Sequence, residues 1–244
     1  MSIQLRKNRH KVPNYVLNAK WDCIEKCNSR VVTINRIYEK VYGRKSIPEG
    51  EQYWSMCGAH FNSKEILQGE YGHLTHTRVI KPHQYYGVDI VPSIIEGNKL
   101  IYPNTNWILG DFRESMSIEC IKNTFYPAIV NYDGVLMSEF GMNSLKHIMQ
   151  LLDNNVSKKV MVLSNFILSN PYMNLEKYRS SASETLEHLA KIYLLPDHWH
   201  IIPQAYIYSS PSRGAITDMG IIIFVKEEHD ITNIKYTQNR KIGI

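Results

Sequence analysis

Residues 85–90 read YYGVDI, residues 104–112 read NTNWILGDF and residues 127–137 read PAIVNYDGVLM, with one helix-length segment between each pair of these apolar runs. The first two runs finish at or beside an acid, Asp89 and Asp111, and the third carries Asp133 in its middle or at its end. Strands alternating with helices at this spacing predict crossover units in a parallel sheet. Ligands of such sheets collect beyond the carboxyl ends of the strands, which is where the three acids are expected.

The alternation continues on both sides. QYWSMCG (52–58) reads as the first core strand, and Gly58, Ala59 and His60 form the turn after it, small enough for a ligand or a helix to approach the backbone. Residues 62–80 predict a helix capped by Asn62 or Ser63, with Leu67, Tyr71, Leu74, Val79 and Ile80 on its apolar side, weakened by Gly69 and Gly72. Pro92 opens a helix to about Leu100, and a second, over 113–125, is stopped by Pro127. Gly141 and Asn143 lead into a third through Leu152, before the apolar run VMVLSNFIL (160–168) and a helix over 175–195. HIIPQAYIYSS (200–210) is a strand that either starts after Pro203 or bulges there, since proline lacks the ladder donor. SPSRGAITD (210–218) reads as a polar loop, and GIIIFVKEE (220–228) returns as a strand. So short a connection makes these last two strands antiparallel. The expectation is a single three-layer Rossmann-like α/β domain over residues 51–228, with a seven-stranded, mostly parallel sheet ending in an antiparallel hairpin. Residues 1–50 form a basic helical extension and 229–244 a polar tail.

A chain of 244 residues with 43% hydrophobic and 21% charged residues suits one soluble α/β domain. No apolar stretch approaches the roughly 20 residues that span a bilayer, and the start MSIQLRKNRHK has no apolar leader core. A cytoplasmic or otherwise intracellular protein without a membrane partner is expected. The four cysteines are too scattered for a disulfide scaffold or a zinc finger, and no histidine pair flanks a glutamate as in metalloproteases, so no metal is expected. Charge is uneven. Residues 1–50 hold eleven Lys or Arg against four acids, whereas the rest of the chain holds seventeen against nineteen. Arg36, Lys40, Arg44 and Lys45 can grip the phosphates of a nucleic acid, or simply form a solvated basic face.

This layout resembles the class I S-adenosylmethionine-dependent methyltransferases, whose sheet ends in such a hairpin. The resemblance rests on architecture and on the placement of acids, over residues 51–228. It implies S-adenosylmethionine as cofactor, its ribose held by Asp89 beside Ile90, its adenine end by Asp111 beside Phe112, and its methionine end near Cys57 and Gly58. A carboxylate can accept both vicinal hydroxyls of a ribose, and Asp111 can accept from an adenine amino group. Each acid can equally cap the helix that follows it. For methyl transfer the protein must supply an in-line approach and, for a weak nucleophile, an acceptor for its proton. Asp133, Glu139 and His60 are the candidates. Tyr132 can stack on a planar substrate or pack in the core, and Arg213 can pair with a phosphate or carboxylate or lie free in a turn.

One departure stands out. The family's first strand usually ends in an acid followed by several glycines, whereas this chain has Cys57, Gly58, Ala59 and His60. Either the cofactor binds in a variant manner or the role has been lost. The Asn/Asp-Pro-Pro-Tyr/Phe motif of DNA base methylation is absent, since Asn170-Pro171-Tyr172 follows the fifth strand and reads as a turn. The leading expectation is a methyltransferase acting on nucleic acid or a nucleotide-like molecule. Its alternatives are a non-catalytic methyltransferase-like binding module and an enzyme that cleaves S-adenosylmethionine or a nucleotide on the same fold. A Rossmann oxidoreductase is disfavoured because no G-x-G-x-x-G follows any strand.

Overall fold

Burial on both faces makes the apolar runs interior strands: all six residues of PAIVNY are buried, as a parallel strand between two helical layers requires. The computed structural model describes residues 34, 38–40, 42–58, 70–133, 139–155, 159–167, 199–212 and 215–226. Its elements are β1 (Gln52–Met56), α1 (Glu70–His76), β2 (Tyr85–Asp89), α2 (Pro92–Ile101), β3 (Asn106–Leu109), α3 (Phe112–Ile121), β4 (Pro127–Tyr132), α4 (Glu139–Asn155), β5 (Val160–Ile167), β6 (Trp199–Ser212) and β7 (Ala215–Lys226). They form one seven-stranded sheet in the order β3-β2-β1-β4-β5-β7-β6. Strands β1 to β5 run parallel, and β7 is antiparallel to both β5 and β6. The order reverses between β1 and β4, the switch point at which such sheets open a crevice at their carboxyl rim.

Strand alternation sorts the side chains into two cores. One face carries Tyr53, Tyr85, Trp107, Ile129 and Leu163 beneath Tyr71, Leu74 and Ile95, and it also takes Ile34, Tyr38 and Ile47 from the basic N-terminal stretch. The other carries Trp54, Val88, Val130, Val162 and Phe224 beneath Phe112 and Met116 of α3 and Leu145, Ile148 and Leu152 of α4. Register pairs stack on both faces: Tyr53 on Tyr85 at 5.5 Å and Trp54 on Tyr86 at 4.9 Å between ring centroids. Gly87 is glycine because Trp107 lies over it. An added Cβ would sit 2.4 Å from the indole Cζ3.

Two helix ends depart from expectation. The apolar spacing runs the first helix to Ile80, but α1 stops at His76. Arg78 takes a left-handed conformation (φ 60°), its N–H bonds the Thr75 carbonyl, and the Val79 N–H reaches back to Leu74. This is a Schellman stop, a motif frequently accompanied by an apolar residue that packs against the last turn, here Val79. Val79 therefore mimics helical periodicity. In the same way α3 ends at Ile121, with Asn123 left-handed (φ 56°), several residues before Pro127. Asparagine tolerates that conformation; for arginine it costs about 1 kcal/mol relative to glycine.

The 210–218 loop is a correction. Strands β6 and β7 pair through Ser209–Asp218, Ser210–Thr217, Pro211–Ile216 and Ser212–Ala215, so the ladder continues almost to the turn. The expected disruption at Pro203 is present, as the register shifts between Ile202 and Tyr206. At the other end of β7 the Lys226 amine is buried, donating to the carbonyls of Leu152 (3.0 Å) and Asp153 (3.4 Å) at the end of α4. The Trp199 indole N–H adds a 2.8 Å bond to the Asp153 carboxylate. The expected helix over 175–195 and the 229–244 tail lie outside the described residues.

Candidate functional site

The ends of β1, β2 and β3 are knitted at one rim. Asp89 closes β2 opposite Leu109 of β3, and its carbonyl accepts the Gly110 N–H at 3.1 Å. On its other side the Cys57 N–H donates to Val88 at 3.1 Å, and Gly58 follows with φ +59°. Asp89 and Asp111 thus lie at the same carboxyl rim, Asp111 just after the edge strand β3 and Asp89 at the end of its neighbour β2. The Asp89 Oδ1 accepts the Val91 N–H at 2.9 Å. Partial burial pushes this carboxyl above the ordinary aspartate range, against the pull of the backbone N–H groups of Val91, Gly58 and Ile90.

Asp111 is the N-cap of α3: its Oδ1 accepts the N–H groups of Arg113 (2.9 Å) and Glu114 (3.2 Å) and the Arg113 side chain at 3.3 Å. Burial raises its pKa, but these bonds and the Arg113 charge outweigh it and hold the group below the ordinary range. The cap that the sequence offered as an alternative is thus realised at Asp111. At Asp89 the side chain bonds the backbone just before Pro92, and Val91 is the N-cap of α2.

Three of the large apolar side chains exposed to solvent line this same rim: Met56 (36%), Ile90 (70%) and Leu109 (53%), one at the end of each adjoining strand. Cys57, Phe112 and Tyr132 are buried beneath it. Phe112 packs edge-on to Trp54 at 6.4 Å and lies 6.1 Å from Tyr132. Burial raises the Tyr132 phenol, opposed by a hydrogen bond with Ser144. Its ring is therefore packed between sheet and helices and offers no face for a stacked substrate. Asp133 follows Tyr132 directly and is half-buried, and Glu139 opens α4.

Two polar residues behind the rim were not singled out from the sequence. Asn98 of α2 is fully buried and donates to the Gly58 carbonyl at 2.9 Å and to Cys57 Sγ at 3.7 Å, bracing the turn after β1. Glu70, the first residue of α1, is also fully buried. It accepts the Tyr53 hydroxyl at 2.6 Å and the Asn131 amide at 3.0 Å on each oxygen, and that amide also lies 3.5 Å from Ser55. Ser55 and Asn131 are register partners on β1 and β4, so this cluster sits at the switch point. A buried carboxylate has to be hydrogen-bonded, and nothing in local spacing indicates these partners.

Arg44 lines a hollow at the amino rim, beside Pro48 and Gln84, which precede β1 and β2. Lys40 is exposed, and Lys45 is an exposed side chain 3.9 Å from Glu39. His60, Arg36 and Arg213 lie outside the described residues. Among the described residues no group of His, Cys, Asp or Glu could hold a metal, and no helix is long and apolar enough to cross a membrane. Cys57 and Cys120 are free thiols.

No family model matches the chain, and no curated protein matches it by sequence. Solved structures do match by shape. The plantazolicin methyltransferase BpumL in complex with SAH is 12% identical, covers 90% of each chain and superposes with a TM-score of 0.54. The plantazolicin methyltransferase BamL, bound to a triazolic desmethylPZN analog and SAH, is 10% identical over 83% of this chain and 85% of its own, with a TM-score of 0.53. The chain shares its fold with these two methyltransferases. At such identity the likeness shows the Rossmann-like architecture alone. The Asp89–Asp111 rim coincides with the general crevice of open α/β sheets.

Proposed function

We propose that this chain is an S-adenosylmethionine-dependent methyltransferase whose cofactor cleft is the rim between Gly58, Asp89 and Asp111. The observation that carries the reading is the Asp89 carboxylate, set at the end of β2, bonded through Oδ1 to Val91 and flanked by exposed Ile90 and Leu109. A vicinal diol needs acceptors as it leaves water, and a purine needs apolar faces; both are present there. Asp89 would orient the ribose, and Ile90, Leu109 and Met56 would cover the adenine and exclude water. Asp111, whose cap bonds use Oδ1, would offer Oδ2 to an amino group. S-adenosylmethionine supplies an electrophilic methyl group when bound. Asp133, beyond the end of β4, would accept the proton of the attacking group.

The test is calorimetric titration with S-adenosylhomocysteine. The wild-type chain is expected to bind, and Asp89→Asn to bind about tenfold or more weakly, since hydrogen bonds to a charged acceptor contribute about 1.5–3 kcal/mol. Absence of binding by the wild type would overturn the proposal. It would favour a second reading, a non-catalytic module on this fold, for which the supporting observation is the turn after β1: Asn98 occupies the Gly58 carbonyl, and Cys57 stands where the family places an acid.

For the acceptor, the proposal retains a nucleic acid or nucleotide-like molecule, supported by the basic surplus of residues 1–50. RNA binding should then weaken steeply with salt, and neutralising Arg36, Lys40, Arg44 and Lys45 together should flatten that dependence. A flat salt response in the wild type would move the acceptor to a small molecule or peptide.

A further inference from the structure

The amino rim of the sheet carries a hollow of about 540 Å³ that the cleft reading does not use. It lies where Ile47 bonds to Val79 (3.0 Å) and the Gln84 amide to the Pro48 carbonyl (2.7 Å), at the starts of β1 and β2. Strands of this length put it roughly 17 Å from the Asp89 rim. Arg44, Arg78 and Lys81 line it, with a single acid, Glu49. The Glu49 carboxylate is held by Lys81 at 2.5 Å and by His83 at 3.1 Å. Among the described residues neither Arg44 nor Arg78 has a hydrogen-bond or ion-pair partner, although Arg44 is near enough to offset part of the rise that burial gives the Glu51 carboxyl.

Arg78 is the less expected of the two. It occupies the left-handed position of the Schellman stop of α1, with φ 60°. Glycine fits that position without strain, and α3 uses asparagine at the equivalent Asn123. Complementing the helix dipole does not explain the choice, because a cation on the last turn does so with an ordinary φ. The strain is kept together with a guanidinium that projects into solvent beside a cationic hollow. Backbone strain of this sort collects at ligand sites.

We propose that the Arg44–Arg78–Lys81 hollow binds a phosphate group, presented by a free nucleotide or by the backbone of a nucleic-acid strand. Two guanidinium forks suit a tetrahedral phosphate, dianionic at the end of a nucleotide and monoanionic along a strand, and the Lys81 ammonium, shared with Glu49, adds a point charge; the volume admits the attached nucleoside. The site does not rest on methyl transfer, since its binding measurement needs no cofactor.

The experiment uses the full chain, ATP by calorimetry and a labelled oligouridylate of about ten nucleotides by fluorescence anisotropy, both at about 50 mM salt. At least one probe is expected to bind. Arg78→Gly should weaken binding about tenfold while melting at or above the wild-type temperature, because glycine relieves the backbone strain. Arg44→Gln should weaken it similarly, and Lys146→Gln, which removes the same charge from α4 on the other face of the sheet, should change it less than about twofold. Tight ATP binding with a weak oligonucleotide identifies a nucleotide site, and the reverse identifies a strand-docking site. The proposal is overturned if neither probe binds, if Arg78→Gly and Arg44→Gln bind like the wild type, or if Lys146→Gln is as weak as they are.

Discussion

At the scale of single residues, Asp89 works against the fold that holds it. Its pKa is raised by burial, so the folded chain retains the proton more readily than the unfolded chain. Between the two pKa values the native state binds more protons, and stability falls as pH rises through that window. Asp89→Asn is therefore expected to melt higher than the wild type near neutral pH in the absence of ligand, even as it loses cofactor affinity. The pair of measurements, melting and calorimetry, tests both halves; a variant that melts lower would show that the carboxylate serves the fold. The same raised pKa means that cofactor affinity should decline on acidification from a higher pH than for an ordinary aspartate. Gly87 gives the opposite kind of prediction. Placing a Cβ 2.4 Å from the Trp107 ring, which is itself pinned by its N–H to the Tyr102 carbonyl at 2.9 Å, should cost about 1–3 kcal/mol in urea denaturation of Gly87→Ala.

At the scale of elements, Asp111 shows how one acid can satisfy two readings and how to separate them. Asp111→Ala removes the cap of α3 and should cost about 1 kcal/mol, while Asp111→Asn keeps the cap geometry and should cost little. If Asp111→Asn still loses cofactor affinity, the carboxylate acts beyond capping. Because its folded pKa is depressed, the stability it contributes is present above the unfolded pKa and is lost as pH falls through the folded one. The strands were legible because parallel strands buried on both faces appear as unbroken apolar runs, and the terminal hairpin because its connection is too short for a crossover. Helix ends were less legible. Val79 and Ile80 are in phase with α1 and buried on its side, yet they follow a stop whose left-handed residue is an arginine, the type that least announces it. Alternation alone does not say which face the helices cover, so it leaves Tyr132 between stacking on a substrate and packing in the core; the ring packs in the core, and Asn131, its neighbour, faces the switch-point cluster.

For the molecule as a whole, the Glu70 cluster joins what the chain order separates. It ties the start of α1 to β1 and β4 over sequence gaps of 17 and 61 residues, which is why local patterns were silent about it. Glu70→Ala would strip the Tyr53 hydroxyl and Asn131 amide of a buried acceptor. A loss of about 2–5 kcal/mol in chemical denaturation is expected, with Glu70→Gln intermediate. A loss below 1 kcal/mol would mean that the cluster is dispensable. The position of β7 has a further consequence for how the protein is made. Its partner β5 presents VMVLSNFI, eight residues that on this flank pair only with the strand formed by Ala215–Lys226. During synthesis that apolar border stays open while some fifty further residues leave the ribosome, an interval in which nascent chains are prone to stick to one another.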